Sequence, residues 1–341
     1  MLKPQNPSTR SYMGVLNCIG WSLVIFLGIF SELSTIDQLL FAEVFTGKWG
    51  TAIYGLLSSA CYMAPFILGG AMFYILSKKR KTQPIRYSIK LPAVFPLMIL
   101  AGLAMITAAG YINSWVCDLI GYEIPPELIA PTGYDNPSTV IMYMTVALSP
   151  AFAEEFLFRG VVYGNLRPFG RTQAVLISAL TFALMHQNIG QLFYTFVAGI
   201  AMALMYELTG SIWCGIFFHL LNNEISVITE VLYYGRYGDA IEPLLILWDI
   251  VVLVLGSISI LILIRYYRKK TAEEKKTHSS GVFGEQGSTV TEVDAYDEPV
   301  SGTAVARGLR TPGMIVFAAI AVASMIATYL MITFVNLGAL L

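Results

Sequence analysis

The sequence predicts an all-α polytopic membrane protein, and three observations carry that expectation. Of 341 residues only 13% are charged while 56% are hydrophobic, against about 25% charged in an average soluble protein. Apolar runs long enough to cross a bilayer recur along the whole chain. No series of alternating ten-residue segments marks a β-barrel, and lipid leaves a spanning segment only the helix or the closed barrel to satisfy its backbone. The same shortage of charge excludes a soluble globular enzyme, a disordered chain and a nucleic-acid binder with a broad basic face.

A span needs about 20 mainly apolar residues, because each adds 1.5 Å across a hydrocarbon core of about 30 Å. The run 14–31 follows Lys3 and Arg10 in the manner of a signal peptide. It is long, however, and Ser31-Glu32-Leu33-Ser34 offers no small-x-small cleavage site, so it reads as an uncleaved first span. Spans follow at 51–76, 91–112 and 138–166. The next two, 172–188 and 190–207, almost touch, which demands a very tight turn between them. Further spans lie at 211–229, 244–264 and 313–340, making about nine transmembrane helices. Between the last two, 271–312 is rich in Ser, Thr, Gly, Glu and Asp, as in Glu292-Val293-Asp294-Ala295-Tyr296-Asp297-Glu298. It has too few apolar residues for a core and reads as a disordered acidic cytoplasmic linker, with His278 solvated. The chain therefore divides into N-terminal spans and loops (1–137), a central core (138–230), a further span (231–270), the linker (271–312) and a final span (313–341).

Lys and Arg set the orientation. With the N-terminus cytoplasmic, all 21 basic residues except Lys48, Arg159 and Arg236 fall in inner segments, while outer segments carry Glu32, Asp37, Glu43, Asp118, Glu123, Glu127 and Asp135. The expected topology is a multi-pass cell-membrane protein, N-terminus inside and C-terminus outside. Cys18, Cys61, Cys117 and Cys214 form no CxxC pair and read as small apolar residues.

Ionisable groups inside spans are costly, and each is a functional hypothesis. Here they cluster: Glu154, Glu155 and Arg159 on the fourth span, His186 on the fifth, His219 on the seventh. Only Asp249, near the outer end of the eighth, stands apart as an intramembrane charge. Glu155 and Arg159 are four residues apart and can pair, which on its own is a structural role. Glu154, turned about 100° away, has no basic partner on its own face. At 1.5 Å per residue Glu154 and His186 both sit about 20–22 Å from the turn at 167–171. His219 lies about 13 Å from its own inner loop, so a shared site needs tilt or uneven loop heights. His219 and Asn223 share a face and can aim two donors at one point, although Asn222 and Asn223 could equally serve helix–helix hydrogen bonding. Phe182 reads as core or as a wall of the site. A carboxylate and an imidazole around one water can take its proton, and a second imidazole with an amide can stabilise an oxyanion. A proton relay in a coupled transporter uses the same residue types, but the chain has no evident internal repeat.

Glu154-Glu155-x-x-x-Arg159, Phe182-x-x-x-His186 and His219-x-x-x-Asn223, in this order on three apolar helices, resemble the CPBP (Abi) intramembrane protease family. That family includes the CAAX-processing Ras-converting endopeptidases and bacterial proteins linked to bacteriocin processing and immunity. The resemblance spans about 138–230. It implies a catalytic helical core in which Glu154 and His186 activate water and His219 and Asn223 stabilise the oxyanion, with Glu155, Arg159 and Phe182 in support. It also implies a membrane-associated peptide or protein as substrate, the lipid bilayer as partner and no nucleic acid. A zinc ion on Glu154, His186 and His219 would be an alternative way to activate water. Without a His-Glu-x-x-His helix the preferred reading needs no cofactor. The competing functions are a proton-coupled transporter and a non-catalytic immunity or scaffold protein.

Overall fold

A computed structural model describes residues 9–37, 47–78, 80, 82–89, 91–123, 136–279 and 300–339. Among them no strand forms, and one isolated bridge joins Tyr87 to Ser211. Ten helices follow in order, short 3-10 and π-helical connections aside: α1 (Thr9–Ile36), α2 (Gly47–Leu76), α3 (Phe95–Leu119), α4 (136–166), α5 (Arg171–Met185), α6 (Ile189–Thr209), α7 (Ile212–Leu232), α8 (Glu242–Ser279), α9 (Gly302–Leu309) and α10 (Pro312–Ala339). The all-α polytopic architecture expected from composition is the one observed.

Seven stretches have the length and apolarity to cross a membrane, where nine spans were expected, and two physical features account for the difference. Helix α5 has only 15 residues, about 22 Å of rise, and falls short of a full crossing. The expected spans 211–229 and 244–264 remain separate helices, α7 and α8, but a π-helical stretch Tyr233–Tyr237 and a 3-10 turn Gly238–Ile241 join them without a break, so they count together as the one stretch Ile212–Glu273. Helix α8 has 38 residues, about 57 Å, and carries Arg265, Arg268, Lys269 and Lys270 well beyond a 30 Å core. Within the linker expected over 271–312, residues 271–279 continue α8 and Gly302–Leu309 form α9. Residues 280–299 lie outside the described residues. Helix α9 begins at Ser301, whose hydroxyl accepts the Ala304 amide, and packs against α1.

Helices α1, α2 and α10 form one side of the molecule, and α3 lies between α6 and α8. Close approach depends on glycine at two places. A side-chain carbon on Gly256 of α8 would lie 2.4 Å from the Leu100 carbonyl of α3, and one on Gly199 of α6 would lie 2.8 Å from Cα of Ala179 on α5. Tyr12, Leu16, Phe26, Phe66, Phe73, Phe158 and Phe218 fill the interior. The outward faces of α8 and α10 are equally apolar, with Leu244, Ile258, Leu261, Ile326, Leu330 and Phe334 exposed. Helices apolar all round are what a bilayer selects. The four cysteines are free.

The basic connections meet at one end of the bundle. The Gln83 amide donates to Asn165, the Arg86 amide to the Tyr206 hydroxyl, the Ile212 amide to the Arg86 carbonyl and the Val300 amide to the Phe169 carbonyl. Tyr122, Asn188 and Tyr329 meet at the other end, where Tyr122 stacks on Tyr329 at 5.9 Å and donates to Asn188. Two further charges inside spans are added to those expected from the sequence. Glu207, on the last turns of α6, takes Arg167 at 2.7 Å, Arg171 at 3.6 Å and the Tyr163 hydroxyl, tying the basic end together. Glu224 lies on α7, half-buried.

Candidate active site

Helix α4 is not a uniform helix. Its α-helical turns Asn136–Met142, Ser149–Glu155 and Gly164–Leu166 alternate with π-helical stretches Tyr143–Leu148 and Phe156–Tyr163. Such departures from the regular ladder gather at functional sites. Glu154 and Glu155 sit at the junction, where the second π stretch begins.

The two carboxylates face different surroundings. Glu155 and Arg159 are both fully buried and pair at 2.8 Å. Arg159 extends to the Gly199 carbonyl at 3.3 Å and lies 4.5 Å from the Phe182 ring centroid, a cation–π contact. The Gly199 carbonyl is within reach because α5 and α6 touch at that glycine. Glu155 Oε1 also takes His219 Nδ1 at 3.1 Å, so one carboxylate oxygen orients both a guanidinium and an imidazole. Gly215 leaves room for it, since a side-chain carbon there would lie 2.6 Å from Glu155 Oε2.

Glu154, 3% exposed, faces a cavity of about 420 Å³ instead. Its Oε1 accepts the Tyr62 hydroxyl. Its Oε2 takes no hydrogen bond from any described residue, and His219 Nε2 stands 3.8 Å away. On its own helix Glu154 has no basic neighbour, and α7 brings His219 beside it. His186 caps the end of α5, and its Nδ1 donates to the Phe182 carbonyl at 2.8 Å. A carbonyl only accepts, so Nδ1 carries a proton, and in the neutral imidazole the lone pair is then on Nε2. Phe182 stands edge-on to both imidazoles, 4.9 Å from His186 and 6.0 Å from His219. It is a wall of the cavity as well as part of the core.

Glu154, His186, His219 and Asn223 all line this cavity. The expected aim of Asn223 differs from what is observed. Its Nδ2 donates to the Val146 carbonyl at 2.9 Å, within the first π-helical stretch, and its oxygen accepts from Asn222 at 3.2 Å. Tyr62, Gln191 and Tyr194 also line the cavity, and sequence reasoning missed all three. An isolated tyrosine hydroxyl in mid-span was the available signal for Tyr62 and Tyr194. Among the described residues no three His, Cys, Asp or Glu side chains converge closely enough to hold a metal ion, Glu154, His186 and His219 included.

The turn that carries His186 is held from α3. Gln187 has a left-handed φ of 52°, which a non-glycine residue adopts only under constraint. Asn113, 7% exposed, donates to the Gly190 carbonyl at 2.6 Å and accepts the Phe193 amide at 3.2 Å. Asn188 accepts both the Gly190 amide and the Tyr122 hydroxyl. Asn113→Ala is expected to leave the bundle folded but raise amide hydrogen exchange over 186–193 about tenfold, the loss of roughly one buried hydrogen bond. Exchange unchanged there would mean that α5 and α6 hold the turn alone.

The bundle and the cavity together define a polytopic membrane protein with a carboxylate–imidazole site buried among its helices. Residues 136–225 match the family model described as type II CAAX prenyl endopeptidase Rce1-like, which supports the resemblance to the CPBP/CAAX-protease family over that stretch. Over 94 residues the chain is 30% identical to the Bacillus subtilis (strain 168) protein named "Putative membrane peptidase YdiL". That alignment covers 27% of this chain and 38% of the relative. No solved structure matches. All seven residues expected at the site lie inside the matched stretch.

Proposed function

We propose that this protein is an intramembrane endopeptidase that hydrolyses a peptide bond of a membrane-associated peptide or protein with an activated water. The observation that carries the reading is Glu154 Oε2. It is a buried carboxylate oxygen with no hydrogen-bond donor among the described residues, facing a chamber lined by two imidazoles. Buried polar groups are nearly always satisfied, and a carboxylate left open toward a chamber is suited to accept a proton from water.

In the proposed reaction Glu154 Oε2 takes a proton from water while His186 Nε2 accepts the second O–H as a hydrogen bond. The hydroxide oxygen bonds to the carbonyl carbon. The carbonyl oxygen becomes an oxyanion that His219, as an imidazolium with a proton on each ring nitrogen, stabilises by donating from Nε2 while its Nδ1–H donates to Glu155. An amide carries two N–H donors, so Asn223 can keep one on Val146 and turn the other to the oxyanion. The C–N bond then breaks and the proton on Glu154 passes to the leaving amine. Tyr62 fixes the Glu154 carboxyl so that Oε2 is the oxygen that works. This sequence uses the chain's own groups and needs no metal. We place the basic end of the bundle at the cytoplasmic face, following the Lys and Arg distribution.

The reading is tested by the new peptide termini that the full-length protein generates in membranes, measured by mass spectrometry. Tyr62→Phe is expected to lower their rate of formation about tenfold, as for one lost hydrogen bond of roughly 1.4 kcal/mol at the transition state. No new termini, together with proton uptake that depends on Glu154, would make the chamber a transport site instead.

A further inference from the structure

A second cavity, of about 680 Å³, adjoins the chamber, and the two share Ile106, Tyr194, Asn222 and Ser226 as common wall. It extends between α3, α7 and α8 toward the end of the bundle opposite the basic connections. Its character changes along the way. Near the chamber it is lined by Leu103 and Ile225; farther out come Thr229, Glu230, Tyr111 and Asp249.

Asp249 is the charged group that α8 turns into this cavity, and Glu230 is the one from α7. The Tyr111 hydroxyl of α3 donates to Asp249 Oδ2 at 2.7 Å, holding the carboxylate across the cavity wall. Among the described residues neither Lys nor Arg lines the cavity. The nearby Arg236 lies over the Tyr237 ring at 5.3 Å. Beyond the mouth, the Tyr233 hydroxyl bonds Asp239 and Glu242, two more carboxylates. The cavity leads inward to Glu154, the buried carboxylate whose Oε2 has no donor among the described residues.

We propose that this second cavity receives the substrate chain on one side of the scissile bond, and that Asp249 selects a Lys or Arg side chain there. The inference rests on the peptidase reading and adds a substrate class to it. The distance fits. From His219 to Glu230, which lines the same cavity as Asp249, is about 16 Å along α7, and an extended peptide covers about 3.3 Å per residue, so a basic side chain at that depth falls about five residues from the bond. A carboxylate in a partly dry cavity attracts a cation more strongly than it would in water, and a paired charge is the stable state for an acid at membrane depth. Asp249 is a specificity-determining residue in this account and has no part in the chemistry.

The test uses the full-length protein in proteoliposomes, given a synthetic library of peptides of diverse sequence, with cut sites read by mass spectrometry. Wild-type protein is expected to favour Lys or Arg about five positions from the cut by about tenfold in kcat/KM, mostly through KM. Asp249→Asn erases that preference, and Asp249→Lys reverses it toward Asp and Glu. Both changes are at a half-buried, cavity-facing position, and a melting temperature close to wild type checks the fold. Cut sites without a basic preference, or a preference that survives Asp249→Lys, overturn the inference and leave the peptidase reading standing. A wild-type protein that cuts no peptide removes the peptidase reading and the inference with it.

Discussion

Glu154→Gln should lower the rate of peptide cleavage about a thousandfold while leaving the protein folded in the membrane. The magnitude follows from removing a general base, worth about 100- to 10,000-fold, at a position where no other carboxylate can substitute. Glu155 is one residue away, but it is fully buried and does not line the chamber, and its Oε1 is engaged by Arg159 at 2.8 Å and by His219 at 3.1 Å. Gln keeps the shape of Glu and still accepts the Tyr62 hydroxyl, so packing around the cavity is preserved. The amide nitrogen that replaces Oε2 can no longer take a proton from water. A single-turnover assay with the reconstituted protein separates this effect from substrate binding: kcat falls and KM changes little. Cleavage at the wild-type rate would remove Glu154 from the mechanism.

Arg159→Ala should act on stability first. It leaves Glu155 fully buried and deprives it of its guanidinium, and breaking a buried pair by removing one partner costs about 3–5 kcal/mol. It also removes the contact with the Phe182 ring and the hydrogen bond to the Gly199 carbonyl that joins α4 to α6. Thermal unfolding in detergent should show a clear drop in melting temperature and a loss of yield. The double variant Glu155→Gln with Arg159→Met removes both charges and is expected to regain most of that stability, since an isolated buried charge is the main penalty. It should not regain activity, because His219 Nδ1 loses the carboxylate that orients it. Recovery of both stability and cleavage would make the pair a purely structural element.

Much of this arrangement is legible in the amino-acid sequence, and for a definite reason. In a chain so poor in charge, each ionisable residue within an apolar run stands out, so Glu154, His186 and His219 are visible as a group from the sequence alone. The depth argument brings Glu154 and His186 level, and the structure adds His219 to the same cavity. Spans are legible from hydropathy, whereas their lengths are less so: the short α5 and the helical turns that join α7 to α8 without a break depend on where helices end, which composition alone does not specify. Tyr62 is hidden because an aromatic residue in a span looks like any other apolar contact until its hydroxyl meets a carboxylate. The partner of Asn223 is hidden for a different reason. Spacing puts Asn223 on the face of His219, but its bond goes to a carbonyl in a π-helical stretch of another helix, and no local pattern announces that stretch. Glu207 is easily overlooked at the end of its span because its partners, Arg167 and Arg171, belong to a turn some forty residues earlier.

The most direct test of an activated-water reaction is cleavage by the reconstituted wild-type protein in water enriched in oxygen-18, with products and enzyme examined by mass spectrometry during turnover. One heavy oxygen in each new carboxylate, with no peptide attached to any side chain of the enzyme, is the predicted result. A covalent peptide–enzyme species that forms and decays during turnover would contradict the account.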